Sequence, residues 1–185
     1  MAQKDMAPEE FQSLLDATDN PKHRLIWRIL AGCGLRSNEL VTLEVKDIDL
    51  DRRIVSLDKT NTKNGKSRKV VIPKSLLADL SAFIKCKESE DYLFVGQSLK
   101  DGKLQPLTTR AIRKAFNLAC EKAGLGNYSP HSLRHYCAEQ MVEAEIDLNT
   151  IRLQLGHSSL GITQIYLSNN LEKRKDKLDA SGFGV

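Results

Sequence analysis

The sequence predicts a mostly α domain with a small antiparallel β-sheet, an α+β chain in which helices supply most of the core. Three observations lead there. Apolar residues recur at helical spacing along most of the chain, as in "HRLIWRILAGCG", where Leu25, Ile26, Ile29 and Leu30 share a face. One pair of β-rich runs, "RIVSLD" and "RKVVIP", flanks a polar stretch with Gly65 near its tip, the pattern of a hairpin. No Pro/Gly-rich linker, repeat or low-complexity tract divides the 185 residues, so they read as one domain, 1–185, long enough to bury its own core.

The elements follow in order. Pro8 with Glu9 and Glu10 suits a first helical turn, where a missing N–H costs nothing and acids favour the dipole; "EEFQSLLDA" continues it. The helix of "HRLIWRILAGCG" ends at Gly32 and Gly34, and "RSNELVTL" predicts a short helix beyond. After the hairpin the helical pattern returns in "SLLADLSAFIKCK" and in "TTRAIRKAFNLACEKAGL", with Thr108 or Thr109 as cap and Gly124 as stop. "SPHSLRHYCAEQMVEA" starts with Ser129 as N-cap and Pro130 at the first helical position. "LNTIRLQLG", "SLGITQIYL" and "LEKRKDKLDA" complete the domain as helices, the last within a charged tail, 167–185.

Composition narrows the partners. No run of eighteen apolar residues exists, so no transmembrane helix is expected, and "MAQKDMAPEEF" lacks the apolar core of a secretion signal. A cytoplasmic protein is expected. Cys33, Cys86, Cys120 and Cys137 are spread without a CxxC pair, which predicts reduced core residues rather than a zinc site or a disulfide framework. The net charge of +4 is mild, but "KTNTKNGKSRK" (59–69) holds five basic residues and no acid. A solvated hairpin tip and a nucleic-acid contact both fit it.

Four places carry residues suited to phosphate chemistry, each with a plainer reading beside it. Arg36 and Glu39 in "CGLRSNEL" share a helical face, as a surface ion pair also would. Lys63 in "TKNGKSR" sits on the hairpin, where lysines are ordinarily solvated. His131 and Arg134 in "SPHSLRH" project from one face at a helix N-terminus, a natural position for meeting a phosphate. His157 and Tyr166 stand nine positions apart in "LGHSSLGITQIY", where the tyrosine alone reads as packing.

Together these stretches resemble the tyrosine site-specific recombinases, the integrase family, from about Pro8 to the tail. "GLRSNEL" looks like the motif of the first catalytic arginine, "TKNGKSRKVVIP" like the lysine hairpin, and "HSLRH" matches HxxR. "LGHSSLGITQIY" matches the LGH motif and nucleophile segment. The resemblance implies the recombinase catalytic-domain fold and a catalytic set of Arg36, Lys63, His131, Arg134, His157 and Tyr166, with Glu39 and Asp47 supporting it. It implies transesterification of DNA through a 3′-phosphotyrosyl intermediate without metal, ATP or other cofactor. Integration or excision of a mobile element is the role it suggests first. Xer-type chromosome dimer resolution, type IB topoisomerase-like relaxation and a non-catalytic DNA-binding remnant are the alternatives.

The implied partner is double-stranded DNA, placing the protein at the nucleoid. Lys59, Lys66, Arg68, Lys69, Arg110 and Arg113 are candidate DNA contacts; a solvated charge is the plainer reading of each. Family members assemble as homotetramers on DNA, with the tail docking on a neighbour; the domain alone is expected to be a monomer. Asn38 and Ala7 depart from commoner residues of the family without touching the chemistry. The family's N-terminal core-binding domain has no counterpart in these residues, which predicts an excised catalytic domain rather than a natural remnant.

Overall fold

The computed structural model describes residues 5–58, 67–100, 102–126 and 128–157. Helix α1 (Pro8–Asp16) opens the chain, its start capped by Glu10, whose carboxylate accepts from the Ala7 N–H at 2.9 Å. Helix α2 (Pro21–Cys33) begins two residues earlier than its apolar spacing predicts. Asn20 accepts the Lys22 N–H at 2.9 Å, and Pro21 takes the first position. It ends on Gly34, at φ 66°, the left-handed conformation that glycine adopts without a Cβ penalty.

Seven of the thirteen α2 residues are buried, so α2 is the central helix rather than a surface one. Trp27 is fully enclosed, edge-on to Phe116 with ring centroids 5.1 Å apart. Its indole N–H finds Thr18 Oγ1 at 3.1 Å, which in turn donates to the Leu14 carbonyl at 2.7 Å. The one polar atom of the largest core side chain is thereby satisfied.

Helix α3 (Ser37–Val41) and a 3₁₀ turn (Val45–Asp47) lead into a three-stranded antiparallel sheet, β1 (Ile48–Asp49), β2 (Ile54–Leu57) and β3 (Arg68–Val71), in the order β1-β2-β3. The expected hairpin is β2–β3, in register Ile54 with Val71 and Leu57 with Arg68. Alternation sets its faces: Val55, Leu57 and Val70 are buried, while Lys69 and Val71 point outward. The next helix is shorter than its apolar run, a 3₁₀ turn (Lys74–Leu76) followed by α4 (Leu77–Ile84).

A second hairpin, β4 (Val95–Lys100) with β5 (Lys103–Pro106), was not expected from the sequence. Leu99 is 67% exposed and Leu104 49% exposed, so no buried alternation announces the strands. The available signal was the Asp101–Gly102 dipeptide, a hairpin turn pair, with Gly102 at φ 73°. Helices α5 (Thr109–Lys122), α6 (Pro130–Glu143) and α7 (Leu148–Leu155) complete the described fold, with Thr108 as the α5 cap.

Helix α6 packs along α2, and α7 packs on both α6 and β3. Cys33, Cys120 and Cys137 are buried as expected, whereas Cys86 is exposed, because it lies past the end of α4 rather than on its packed face. The helices expected over "SLGITQIYL" and "LEKRKDKLDA" lie outside the described residues. Among the described residues no helix is long and apolar enough to cross a membrane.

Candidate active site

The site forms where three chain turns meet: the end of α2, the base of the β2–β3 hairpin and the end of α7. Arg36 follows the Gly34 turn and precedes α3, so the left-handed glycine aims it. Its backbone N–H donates to Glu39 Oε2 at 2.8 Å and its Nη1 to Oε1 at 2.9 Å. Glu39 is 1% exposed, a carboxylate that burial alone would neutralise. Burial does push its pKa up, but hydrogen bonds from Arg68 and the Arg36 backbone, then the Arg68 charge and the Arg36 side-chain hydrogen bond, outweigh that push, and the net shift is downward. Arg68 supplies both terminal nitrogens, Nη1 to Oε1 at 2.7 Å and Nη2 to Oε2 at 2.8 Å.

Arg134 is also buried, at 3% exposure. Its Nη1 donates to the Gly34 carbonyl and its Nη2 to the Leu155 carbonyl, each at 2.5 Å. These carbonyls belong to the ends of α2 and α7, where unpaired oxygens and two dipoles favour a cation. The fold therefore fixes Arg134 from behind and ties it to the turn that aims Arg36.

His157 is 8% exposed and follows directly on α7. Gly156, at φ 66°, ends that helix; its N–H and that of His157 both bond the Arg152 carbonyl, at 2.8 and 3.1 Å. Burial, then the charges of Arg134, Arg36, His135 and Arg68, push the His157 pKa down to about 4. The imidazole is therefore neutral near pH 7, one ring nitrogen a donor and the other an acceptor. His131, on the first turn of α6, stands edge-on to His135 with centroids 4.7 Å apart. Its pKa is also driven downward, by desolvation first and then by His135, Arg134 and Arg36. It is exposed, so water softens the effect, and the direction keeps the ring neutral near pH 7.

The remaining predicted residues fall in different places. Arg110 and Arg113 on α5 are exposed and share an open cleft of about 490 Å³ with Ser37, Thr109, Ser129, Pro130 and His131. Ser37, Thr109 and Pro130 are the first residues of α3, α5 and α6, so three helix N-termini border that cleft. Lys69 is exposed. Arg68 is not: its side chain is 12% exposed and turned to Glu39, on the same strand face as buried Val70. Asp47 is half-buried and accepts the Glu44 N–H at 2.9 Å; among the described residues no hydrogen bond or ion pair joins it to an arginine. Lys59, Lys63, Lys66 and Tyr166 lie outside the described residues.

Gln154 carries no signal in the sequence, where a glutamine on a helix reads as solvated. It accepts from the Val71 N–H at 2.9 Å and donates to the carbonyls of Val71, at 2.9 Å, and Cys33, at 3.3 Å. One side chain thereby pins β3 to α7 and to the end of α2.

A family model described as the phage integrase family matches residues 4–173. Tyrosine recombinase XerA of Pyrococcus horikoshii is 35% identical over 166 residues, covering 88% of this chain and 56% of that protein. The crystal structure of a XerA recombinase superposes with a TM-score of 0.77 at 26% identity, over 96% of this chain and 65% of that one. The Tn1549 transposon integrase, solved with transposon right end DNA, shares the fold at a TM-score of 0.76 and 21% identity, over 90% of this chain and 61% of its own. This chain thus spans less than two thirds of the length of each. The chain belongs to the phage integrase family, and its fold is that of a tyrosine recombinase catalytic domain.

Proposed function

We propose that this chain is the catalytic domain of a site-specific DNA recombinase that breaks and rejoins strands through Tyr166. The observation that carries the reading is electrostatic. Arg36, Arg134, His131 and His157, scattered from position 36 to 157, are close enough that both arginines depress both histidine pKa values. A cluster of one buried and one half-buried fixed cation with neutral imidazoles beside them suits a phosphodiester whose charge grows in the transition state.

In this reading Arg36 and Arg134 hold the non-bridging oxygens of the scissile phosphate, and His157 donates a further hydrogen bond. The Tyr166 oxygen attacks phosphorus while its phenolic proton passes to His131. The bond to the 5′-oxygen breaks, and Lys63 supplies the proton that oxygen takes up. The 3′-phosphotyrosyl linkage conserves the bond energy, and an incoming 5′-hydroxyl reverses the step. The cleft bordered by Arg110, Arg113 and three helix N-termini takes the flanking phosphates. Glu39 orients Arg36, and Asp47 supports the site from further off. Lys59, Lys66 and Lys69 face the DNA backbone. The chemistry proceeds without metal, so cleavage in EDTA equals cleavage in buffer; loss of activity on chelation would contradict this.

The protein works on double-stranded DNA as a homotetramer spanning two sites, with the tail 167–185 docking on a neighbour, while the isolated domain is a monomer. Light scattering with and without paired sites reads both states. Integration or excision of a mobile element is the proposed role. Chromosome dimer resolution is the second reading, favoured by the likeness to XerA recombinases. Recombination between an element's ends and a separate target supports the first; exchange confined to one chromosomal site supports the second.

The catalytic reading is tested by trapping. Incubated with a nicked suicide duplex, the wild type forms a covalent protein–DNA adduct and Tyr166→Phe forms none. An adduct that survives the substitution would sink the assignment.

A further inference from the structure

We propose that Arg68 is a positioning residue for the cleavage step: its guanidinium, seated on Glu39, sets how Arg36 presents itself to the phosphate. The inference rests on the recombinase reading of the site and goes beyond it, since Arg68 would otherwise count among DNA contacts. Glu39 is 1% exposed and receives two guanidinium groups. Arg68 takes both oxygens in the parallel, fork-to-fork manner, at 2.7 and 2.8 Å, while Arg36 reaches the same carboxylate with Nη1 alone, at 2.9 Å. The asymmetry has a consequence. With Arg68 in place, Arg36 cannot turn its whole fork onto Glu39, and its second terminal nitrogen stays available to a ligand. Without Arg68, the carboxylate would be a better partner for Arg36 than the phosphate is.

The surroundings of Arg68 support a built position rather than a passing contact. It lies on the inward strand face with Val70, and Gln154 clamps the next residue of that strand, Val71. A Cβ on Gly156 would come within 2.7 Å of Arg68 Cδ and Nε, so the glycine before His157 is the floor on which the guanidinium lies. Arg68 Nε is buried without a hydrogen-bond partner among the described residues, a cost that a side chain serving only as a surface cation would not bear. The same residue thus touches the mounts of Arg36 and of His157, at the base of the hairpin whose loop contains Lys63.

The test compares single-turnover cleavage by full-chain wild type, Arg68→Ala and Arg68→Lys. The substrates carry a normal scissile phosphate or either methylphosphonate diastereomer, in which one non-bridging oxygen becomes an uncharged methyl. Arg68→Ala is expected to cleave the normal phosphate about 10- to 100-fold more slowly, the scale of loss for a misplaced catalytic group. Its DNA affinity and salt slope should match wild type. The deficit should vanish on the one diastereomer that lacks the oxygen Arg36 meets. Arg68→Lys, which keeps the charge without the fork, should melt near wild type and still cleave slowly, so a folding failure of Arg68→Ala leaves the question decided. Cleavage at the wild-type rate, an equal deficit on all three substrates, or a salt slope flatter by about one unit would overturn the proposal, the last making Arg68 a phosphate contact. A wild type that forms no Tyr166-dependent adduct overturns the recombinase reading itself, an outcome distinct from these.

Discussion

His157 and Arg134 show how the fold commits single side chains. The His157 pKa of about 4 lies below the value near 6.5 of an unfolded histidine, so between the two the unfolded chain binds more protons. The contribution of this group is therefore complete above pH 6.5 and is lost as pH falls toward 4. Urea unfolding of the wild type should show stability declining through that window, and His157→Gln should flatten the decline. Arg134 and Arg36 predict opposite kinds of damage. Arg134→Ala strips the hydrogen bonds from the carbonyls of Gly34 and Leu155 and should cost about 2–4 kcal/mol of stability as well as activity. Arg36 is half-buried, so Arg36→Ala should unfold near the wild-type midpoint yet cleave about 100- to 1,000-fold more slowly. Equal destabilisation by the two substitutions would mean that Arg36 is structural.

Turns, more than helices, build the site at the level of elements. Gly34 and Gly156 both take left-handed conformations, and between them they place Arg36, His157 and the two carbonyls that seat Arg134. Gly156→Ala combines backbone strain of about 1–2 kcal/mol with a collision against Arg68. Gly124, at φ 68° after α5, has nothing within 4 Å of where a Cβ would stand. Gly124→Ala is therefore the control for strain alone. Both variants should lose stability by urea unfolding, and only Gly156→Ala should lose cleavage rate beyond its folded fraction. Parallel losses in the two would remove the case that Gly156 serves the site. The strand β3 carries its own lesson in legibility. Arg68 alternates with Lys69 and shares the inward parity of Val70, a period-2 signal present in the sequence. It was masked because a cluster of five basic residues reads as solvent-facing throughout. The β4–β5 hairpin escaped for the converse reason, since its exposed Leu99 and Leu104 give no inward face to detect.

For the whole molecule, the legible parts were those with local chemistry. Pro8 and the Ser129–Pro130 pair mark helix starts by capping and fixed φ, and Gly34 and Gly124 mark ends, so the helices appear where capping places them. The four cationic and imidazole positions were legible as motifs, but their mutual approach depends on α6 lying along α2 and on α7 closing over β3. No local pattern states that packing. Trp27 is its centre, and Trp27→Ala should cost about 3–5 kcal/mol in urea unfolding through cavity formation. A loss under about 1 kcal/mol would show that the core is organised elsewhere. In the proposed reaction a single tyrosine places its oxygen on a DNA phosphate held by this cluster. The direct measurement is to trap the adduct on a suicide substrate, digest it with protease and nuclease, and locate the nucleotide by tandem mass spectrometry. The account predicts a nucleotide joined through its 3′-phosphate to Tyr166. A nucleotide on any other residue, or one joined through its 5′-phosphate, would contradict it.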